Sequence, residues 1–281
     1  MKYLMLLSFI TLCSCSHQKG LEEVAVVKKE DIIPVNYPTP KTIEEAINSP
    51  FRTPSFKERD IYRHPFDTLT FFGVKSSMKV LEITPGTGWY TEILAPFLSE
   101  KGQYVMAGNA ANSPAPRSSH IAEWSIRHPE VAGKMLSSTF NPKDDPAALG
   151  APSSMDMVLT FRNVHNWMAG GTQDAAFKAF FSVLKKGGIL GVVEHRAPES
   201  WSDDPKAQKG YVKESEVINM AKKAGFKYLG KSAVNSNPLD TKDYSNGVWT
   251  LPPTYTLKDK DREKYQAIGE SDRMTLKFSK P

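Results

Sequence analysis

The sequence predicts an α/β fold in which helices cover both faces of a doubly wound, mostly parallel sheet. Short apolar runs without polar alternation, such as 156–161 and 189–193, indicate strands that are buried on both faces. These runs alternate with amphipathic segments, such as the helix predicted over 174–184. A third apolar run, 78–83, passes through a glycine-rich turn into another predicted helix. Alternation of strands and helices in this way is typical of a parallel sheet.

The chain is organised around the glycine-rich turn 84–88, which follows the predicted strand 78–83. Pro85 has no amide hydrogen to give to a strand ladder, whereas Gly86 and Gly88 allow positive φ angles and a close approach of a ligand to the backbone. The turn lies at the carboxyl end of a parallel strand and at the start of a helix, so it predicts a site for a nucleotide-like ligand. A tight turn without a ligand is the alternative.

A second polar stretch follows the strand predicted over 156–161. Arg162, Asn163 and His165 emerge at its carboxyl end, on the same rim of the sheet as the glycine-rich turn. Histidine exchanges protons near neutral pH, so His165 is the candidate general base if an acceptor must lose a proton. In the alternative interpretation this polar cluster caps the next helix and pins the loop.

Three further segments are predicted to reach this rim. The fifth predicted strand ends in titratable residues, where His195 is either a ligand contact or a buried partner of Glu194. The insertion 235–253 carries a tryptophan and many turn residues, and the segment 269–273 precedes the last strand. Both segments are expected to shape a substrate pocket, with a salt-bridged turn as the alternative for 269–273.

Several of these motifs resemble those of a known family. Glu82 followed by Gly-x-Gly is similar to the first motif of class I S-adenosylmethionine-dependent methyltransferases. The passage Leu-Lys-Lys-Gly-Gly over 184–188 and the Ala-Gly-Phe over 224–226 also resemble that family, and the chain as a whole is similar to its predicted exported bacterial members. The resemblance implies a Rossmann-like fold over 41–281 with seven strands, an N-terminal helical extension and an insertion before the last strand.

The same resemblance implies S-adenosylmethionine as cofactor and a small molecule as methyl acceptor. The residues that would contact the cofactor lie at or after the ends of the first two strands: Glu82, Thr84, Gly86, Gly88, Trp89, Tyr90 and Asn109. The residues that would face the reacting centre are Arg162, Asn163, His165 and His195. Thr84 stands where the family has a glycine, and Asn109 stands where it has the carboxylate that binds the ribose hydroxyls.

Two other functions remain open at this point. One is an envelope binding or scaffold protein that keeps the fold but has lost donor binding. The other is an enzyme of different chemistry that uses the two histidines of the rim. The domain 41–281 contains no cysteine and no typical spacing of metal ligands, so no metal site is predicted.

The amino-terminal residues predict export and a lipid anchor. Residues 1–14 have an early lysine and a short apolar run, which suits a signal peptide. Cys15 resembles the lipidated cysteine of a bacterial lipoprotein, and residues 15–40 are charged and proline-rich, as in a flexible tether. Ser16 favours the periplasmic side of the outer membrane in a bacterium with two membranes. An ordinary signal peptide with incidental cysteines is the alternative.

The charge of the chain argues against a nucleic-acid partner. The net charge of +5 is small for 281 residues, and basic and acidic residues are interspersed. The sequence gives no basis for assigning an oligomeric state.

Overall fold

The computed structural model describes residues 36–108, 119–143 and 149–281. The predicted signal peptide, Cys15, most of the predicted tether and Asn109 lie outside these residues. Within the described ranges, no helix combines the length and the apolar character needed to cross a membrane.

The sheet confirms the predicted α/β class. Its strands are β1 Lys79–Ile83, β2 Gln103–Gly108, β3 Leu136–Thr139, β4 Met155–Phe161, β5 Leu184–Ala197, β6 Val212–Lys213, β7 Lys227–Ser232 and β8 Arg273–Ser279. Seven of them are ordered β3-β2-β1-β4-β5-β8-β7, and the two-residue β6 pairs beside β5 as an eighth strand. All pairings are parallel except those of β8, which runs antiparallel to both neighbours.

The predicted helical extension before the first strand consists of four short helices: α1 Ile43–Asn48, α2 Pro54–Lys57, α3 Asp60–Arg63 and α4 Pro65–Phe72. The Thr42 hydroxyl accepts a 3.0 Å hydrogen bond from the Glu45 amide and caps α1. His64 has a φ angle of 40° and ends α3, and the next residue, Pro65, begins α4. The chain therefore breaks between α3 and α4 at Pro65, since proline is accepted only in the first turn of a helix.

Helices cover both faces of the sheet. The remaining ones are α5 Thr91–Leu98, α6 Ser119–Arg127, α7 Pro129–Ala132, α8 Val164–Ala169, α9 Gln173–Val183, α10 Glu214–Lys223 and α11 Arg262–Ile268. On one face, Ala46, Phe72 and Ile93 belong to a buried apolar layer formed with α1, α4 and α5. On the other face, Phe177 and Val217 belong to the layer formed with α9 and α10. Burial of these two layers provides the main stabilisation of the sheet.

The strand order reverses between β1 and β4. From this point β2 and β3 extend to one side, and β5, β8 and β7 extend to the other. In register, Ile83 of β1 lies beside Thr160 of β4, so both strands end at the same level. Ligands of doubly wound sheets bind at such a reversal, outside the carboxyl ends of the strands. The fold therefore brings the turn after β1 and the polar residues after β4 to the expected place.

Several elements differ from the sequence prediction. The two-residue β6 is an eighth strand where seven were expected, and helix α11 was not predicted. Helix α8 was not predicted, because its six residues are too few to show helical periodicity. Strand β5 begins at Leu184 rather than at Ile189, because Leu184 pairs with Met155 across an irregular register. In addition, the Gly187 amide donates to the carbonyl of Lys280 at 2.7 Å, which draws the predicted Lys-Gly-Gly turn into the sheet.

Candidate functional site

A cleft of about 270 Å³ lies at the carboxyl ends of β1, β4 and β5, and we refer to it as the rim cleft. Its walls come from five parts of the chain: the turn after β1, the end of β4 with the residues that follow it, the carboxyl-terminal part of β5, the insertion before β8, and the residues directly before β8. The lining residues are Thr84, Pro85, Gly86, Thr87, Trp89, Phe161, Arg162, Asn163, His165, His195, Val248, Trp249, Pro252, Pro253, Thr254, Glu270 and Ser271.

In the turn after β1, backbone atoms at Gly86 are not covered by other side chains and face the rim cleft. Gly86 has a φ angle of 60°, and a Cβ atom built on it would meet no atom within 4 Å. Gly88 differs, because a Cβ atom there would lie 2.7 Å from the side chain of Ile121. Thr84 has a φ angle of 48°, a conformation that is strained for a β-branched residue. The threonine thus adopts the backbone conformation that a glycine would favour at this position.

Three of the predicted cofactor contacts lie behind this turn and do not line the rim cleft: Glu82, Gly88 and Tyr90. The Glu82 carboxylate is buried on the α5 face of the sheet, where it accepts hydrogen bonds from the hydroxyls of Tyr104 at 2.6 Å and Thr91 at 3.3 Å. The ring of Tyr90 stacks on Phe161 with centroids 3.7 Å apart. These side chains support the turn from below, whereas Thr84, Gly86 and Trp89 face the cleft.

His165 is oriented by a buried carboxylate. Its Nδ1 atom lies 3.0 Å from Oε1 of Glu194. Glu194 also accepts hydrogen bonds from three backbone amides, those of Val164 at 2.6 Å, His165 at 3.3 Å and His195 at 2.8 Å. A carboxylate can only accept, so Nδ1 of His165 carries the proton and donates. In the neutral ring with this tautomer, Nε2 carries the lone pair that a general base requires.

The side chain of His195 does not pair with Glu194, which was one of the two roles predicted for it, but it does line the rim cleft. Successive side chains of a strand point to opposite faces, and the side chain of Glu194 turns to His165. Nδ1 of His195 instead lies 2.6 Å from the hydroxyl of Ser271. Burial, followed by the neighbouring His165 and Arg162, holds the pKa of His195 well below its ordinary value. The imidazole of His195 is therefore neutral at physiological pH.

The two histidines and Glu194 are also the group that could hold a metal ion among the described residues. Their possible ligand atoms lie within 4.8 Å of one another. An ion bound to Glu194, however, would compete with the four N–H groups that already donate to its two oxygens. We therefore interpret the trio as an arrangement that fixes a tautomer, in the way that carboxylates orient histidines elsewhere.

Arg162 and Asn163, which follow β4, have different roles. The Asn163 amide nitrogen donates to the Ile83 carbonyl at 3.0 Å and to the Thr160 hydroxyl at 3.1 Å, and so joins the ends of β1 and β4. Arg162 has a φ angle of 62°, outside the range that most residues adopt. Asn163 therefore holds the rim together, and Arg162 lines the rim cleft in a strained conformation of the kind found at functional sites.

A cluster of arginines surrounds Glu270 beside the rim cleft. Glu270 accepts hydrogen bonds from Arg59 at 2.7 Å, Arg63 at 3.1 Å and Arg273 at 3.0 Å. Burial would raise the pKa of Glu270, but the arginines outweigh it and lower that pKa to about 2. Sequence analysis singled out the segment 269–273 but not this cluster, because its members come from opposite ends of the chain.

Aromatic side chains complete the cleft. Trp89 lies between two guanidinium groups, with Arg52 and Arg63 at 4.7 and 4.8 Å from its ring centroid. Trp249, in the insertion, is 37% exposed, and its ring lies 6.0 Å from that of His165. The prediction that the insertion folds over the rim is confirmed, since five residues between Val248 and Thr254 line the cleft.

We expect the substitution Glu194→Gln to remove the preference of His165 for the Nδ1–H tautomer. Glutamine has one acceptor oxygen instead of two, so N–H donors on one side lose their partner, at a cost of about 2 kcal/mol in the free energy of unfolding. Nitrogen-15 NMR of the ring should show the Nδ1–H form in the wild type and a mixture in the variant. An unchanged Nδ1–H signal in Glu194→Gln would contradict the orienting role.

The order of the sheet and the cleft at its reversal define a Rossmann-like α/β domain. No protein-family model matches the sequence, and no curated protein sequence matches it. Solved structures do match. A SAM-dependent methyltransferase from Aquifex aeolicus is 14% identical, with a TM-score of 0.51, over 85% of this chain and 99% of that one.

Two other solved structures show the same fold. Phosphoethanolamine N-methyltransferase 2 from Haemonchus contortus, in complex with S-adenosyl-L-methionine, is 14% identical with a TM-score of 0.52, over 78% of this chain and 53% of that one. The [4+2]-cyclase SpnF is 16% identical with a TM-score of 0.51, over 78% of this chain and 80% of that one. At these identities the likeness establishes the fold, which hosts more than one chemistry.

Proposed function

We propose that the protein is an S-adenosylmethionine-dependent methyltransferase that acts on a small-molecule acceptor. The observation that carries this proposal is the open backbone at Gly86, which faces the same cleft as the oriented base His165. The cleft lies at the reversal of strand order, where doubly wound sheets bind their ligands. The methyltransferases among the solved structures of this fold support the assignment of the reaction class.

The residues of the turn fit the proposed cofactor. A Cβ atom at Gly86 would point into open space, so backbone at this position is free to contact a ligand. Thr84, Gly86 and Trp89 would hold the cofactor from the side of β1, and Asn109 is proposed to contact its ribose. Glu82, Gly88 and Tyr90 would act indirectly, by supporting the turn from behind.

The chain's own contribution to the reaction is orientation and proton transfer. When bound, S-adenosylmethionine supplies an activated methyl group. Nε2 of His165 would accept the proton that the acceptor loses, while Glu194 stabilises the resulting imidazolium from the Nδ1 side. Neutral His195 would hydrogen-bond the acceptor from the end of β5. Trp249 and the prolines of the insertion line this part of the cleft and would contact the acceptor.

A pair of glycine variants tests the cofactor site. We expect Gly86→Val to weaken binding of S-adenosylhomocysteine at least tenfold in isothermal titration, because its side chain would enter the cleft. Gly171→Val is the matched control. Gly171 has a φ angle of 66°, close to the 60° of Gly86, and a Cβ atom there also meets no atom within 4 Å.

Both substitutions place a branched residue at positive φ and should cost about 1–2 kcal/mol of unfolding free energy. Only Gly86→Val should change the affinity. The proposal fails if the wild-type domain binds neither S-adenosylmethionine nor S-adenosylhomocysteine at millimolar concentration. Equal affinities in the two variants would show that the ligand binds away from the turn.

A second candidate function is a binding or scaffold protein that retains the fold without the donor. The strained Thr84 in place of a glycine favours it, since a side chain at this position restricts the turn. Mass spectrometry of small molecules that remain bound through purification separates the two candidates. An adenosyl compound supports the methyltransferase, and a different ligand supports the binding protein.

We further propose that the protein is exported and anchored by lipid at Cys15. The basis is the amino-terminal sequence, with its early lysine, its short apolar run and Cys15. In a bacterium with two membranes, Ser16 would favour the periplasmic side of the outer membrane. Globomycin treatment of expressing cells should then cause the unprocessed precursor to accumulate, whereas Cys15→Ala should abolish incorporation of labelled palmitate.

A further inference from the structure

Arg162 is the arginine of the rim cleft whose side chain has no partner. Among residues 36–108, 119–143 and 149–281, its guanidinium forms no hydrogen bond and no ion pair. The other three arginines nearby, Arg59, Arg63 and Arg273, all donate to Glu270. A guanidinium has five N–H donors, and those of Arg162 remain available at the wall of the cleft.

The charges around Arg162 do not balance. Arg59, Arg63, Arg162 and Arg273 contribute four positive charges, and within the part of the chain that the structure describes Glu270 is the carboxylate that they surround. Arg63, Arg273 and Glu270 are buried, so water screens this excess only weakly. Glu194 lies nearby, but its oxygens are occupied by the amides and by His165. The inner wall of the rim cleft therefore carries an unneutralised positive charge.

We propose that the rim cleft binds an acceptor with an anionic group, a carboxylate or a phosphate, and that Arg162 binds this group. A guanidinium donates two parallel hydrogen bonds to either anion. Phe161, Trp249 and Pro252 line the same cleft and offer apolar surface for the body of the acceptor. The identification of the anion as part of the acceptor rests on the proposed function.

The anion that Arg162 binds could belong to the acceptor or be the amino-acid carboxylate of the cofactor. The positions of Arg162 and His165 favour the acceptor. Arg162 and His165 follow the same strand and line the same cleft, so an anion held by Arg162 would bring the rest of the acceptor to the base. A cationic donor beside an uncompensated cluster of arginines would also be repelled. An anionic acceptor offsets that repulsion.

Isothermal titration with benzoate and with inorganic phosphate tests the anion site. We expect at least one of these probes to bind the wild type, and its affinity to fall at least about tenfold in Arg162→Gln. Arg162→Lys keeps the charge but not the forked geometry, so a smaller loss is expected. The control is Arg127→Gln, which removes an exposed arginine of α6 and should leave the affinity unchanged. Circular dichroism confirms that each variant is folded.

A second titration, with S-adenosylhomocysteine in the presence of saturating benzoate or phosphate, identifies the source of the anion. An unchanged affinity supports the acceptor site, and competition overturns it in favour of the cofactor's own carboxylate. Equal binding of the probe to wild type and Arg162→Gln, or no binding of either probe at millimolar concentration, also overturns the inference. Arg162-dependent binding without any binding of S-adenosylhomocysteine supports the anion site and refutes methyl transfer.

Discussion

Replacement of Glu270 by glutamine is expected to lower the free energy of unfolding by about 3–5 kcal/mol, which is the cost of removing one partner from a buried ion pair. The substitution removes the carboxylate that three buried or half-buried arginines share. Without it their charges repel one another in a region of low dielectric. Thermal unfolding should show a decrease of about 10 °C in the melting temperature.

The matched control is Glu263→Gln, which removes an exposed carboxylate from the neighbouring helix α11 and should change the melting temperature by no more than about 1 °C. The double variant Glu270→Gln with Arg63→Met removes one charge of each sign and is expected to regain part of the lost stability. A Glu270→Gln protein as stable as the wild type would show that the arginines do not depend on this carboxylate.

The same cluster determines how acid affects the protein. The pKa of Glu270 falls from its ordinary value of 4.5 to about 2 in the folded state. The contribution of this carboxylate is therefore complete above pH 4.5 and is lost as the pH falls from 4.5 towards 2. The difference in unfolding free energy between wild type and Glu270→Gln should narrow over that interval.

Glu82 should produce the opposite dependence on pH. Its complete burial raises its pKa from 4.5 to about 7, against the lowering effect of hydrogen bonds from Tyr104 and Thr91. The folded state therefore keeps a proton that the unfolded state releases above pH 4.5. The free energy of unfolding is expected to fall by about 3 kcal/mol as the pH rises from 4.5 to beyond 7.

Glu82→Gln should remove this dependence, because glutamine is neutral at every pH and still offers an oxygen to Tyr104. Urea unfolding of wild type and variant between pH 4.5 and pH 8 measures the difference, with Glu123→Gln on the exposed face of α6 as control. The control should follow the wild-type curve. Parallel curves for wild type and Glu82→Gln would mean that Glu82 ionises in the folded protein as it does in water.

Much of the fold follows from local sequence. The apolar runs 78–83 and 156–161 are long enough and apolar enough to indicate buried strands, and the structure places β1 and β4 within one residue of them. The rim position of His165, Arg162 and Thr84 also follows, because the carboxyl ends of parallel strands meet at one edge. Local pattern and topology are sufficient for these features.

Other features of the site depend on contacts that no local pattern reveals. The pairing of Glu194 with His165 requires α8, which is too short to be recognised from periodicity. Glu82 follows the expected motif, yet its place on the α5 face depends on which side of β1 it points to and on Tyr104 of the next strand. The arginine cluster joins segments at opposite ends of the chain, so sequence alone gives no sign of it.

The bonds from Arg59 and Arg63 to Glu270 span 211 and 207 residues of the chain. One wall of the cleft therefore requires the helices before β1 and the segment that leads into β8 together, and contacts of such separation slow folding because a long loop must close first. A chain in which β8 has not yet joined the sheet would lack this wall, even with the glycine-rich turn complete. A ligand that depends on this wall would be captured only after β8 has docked.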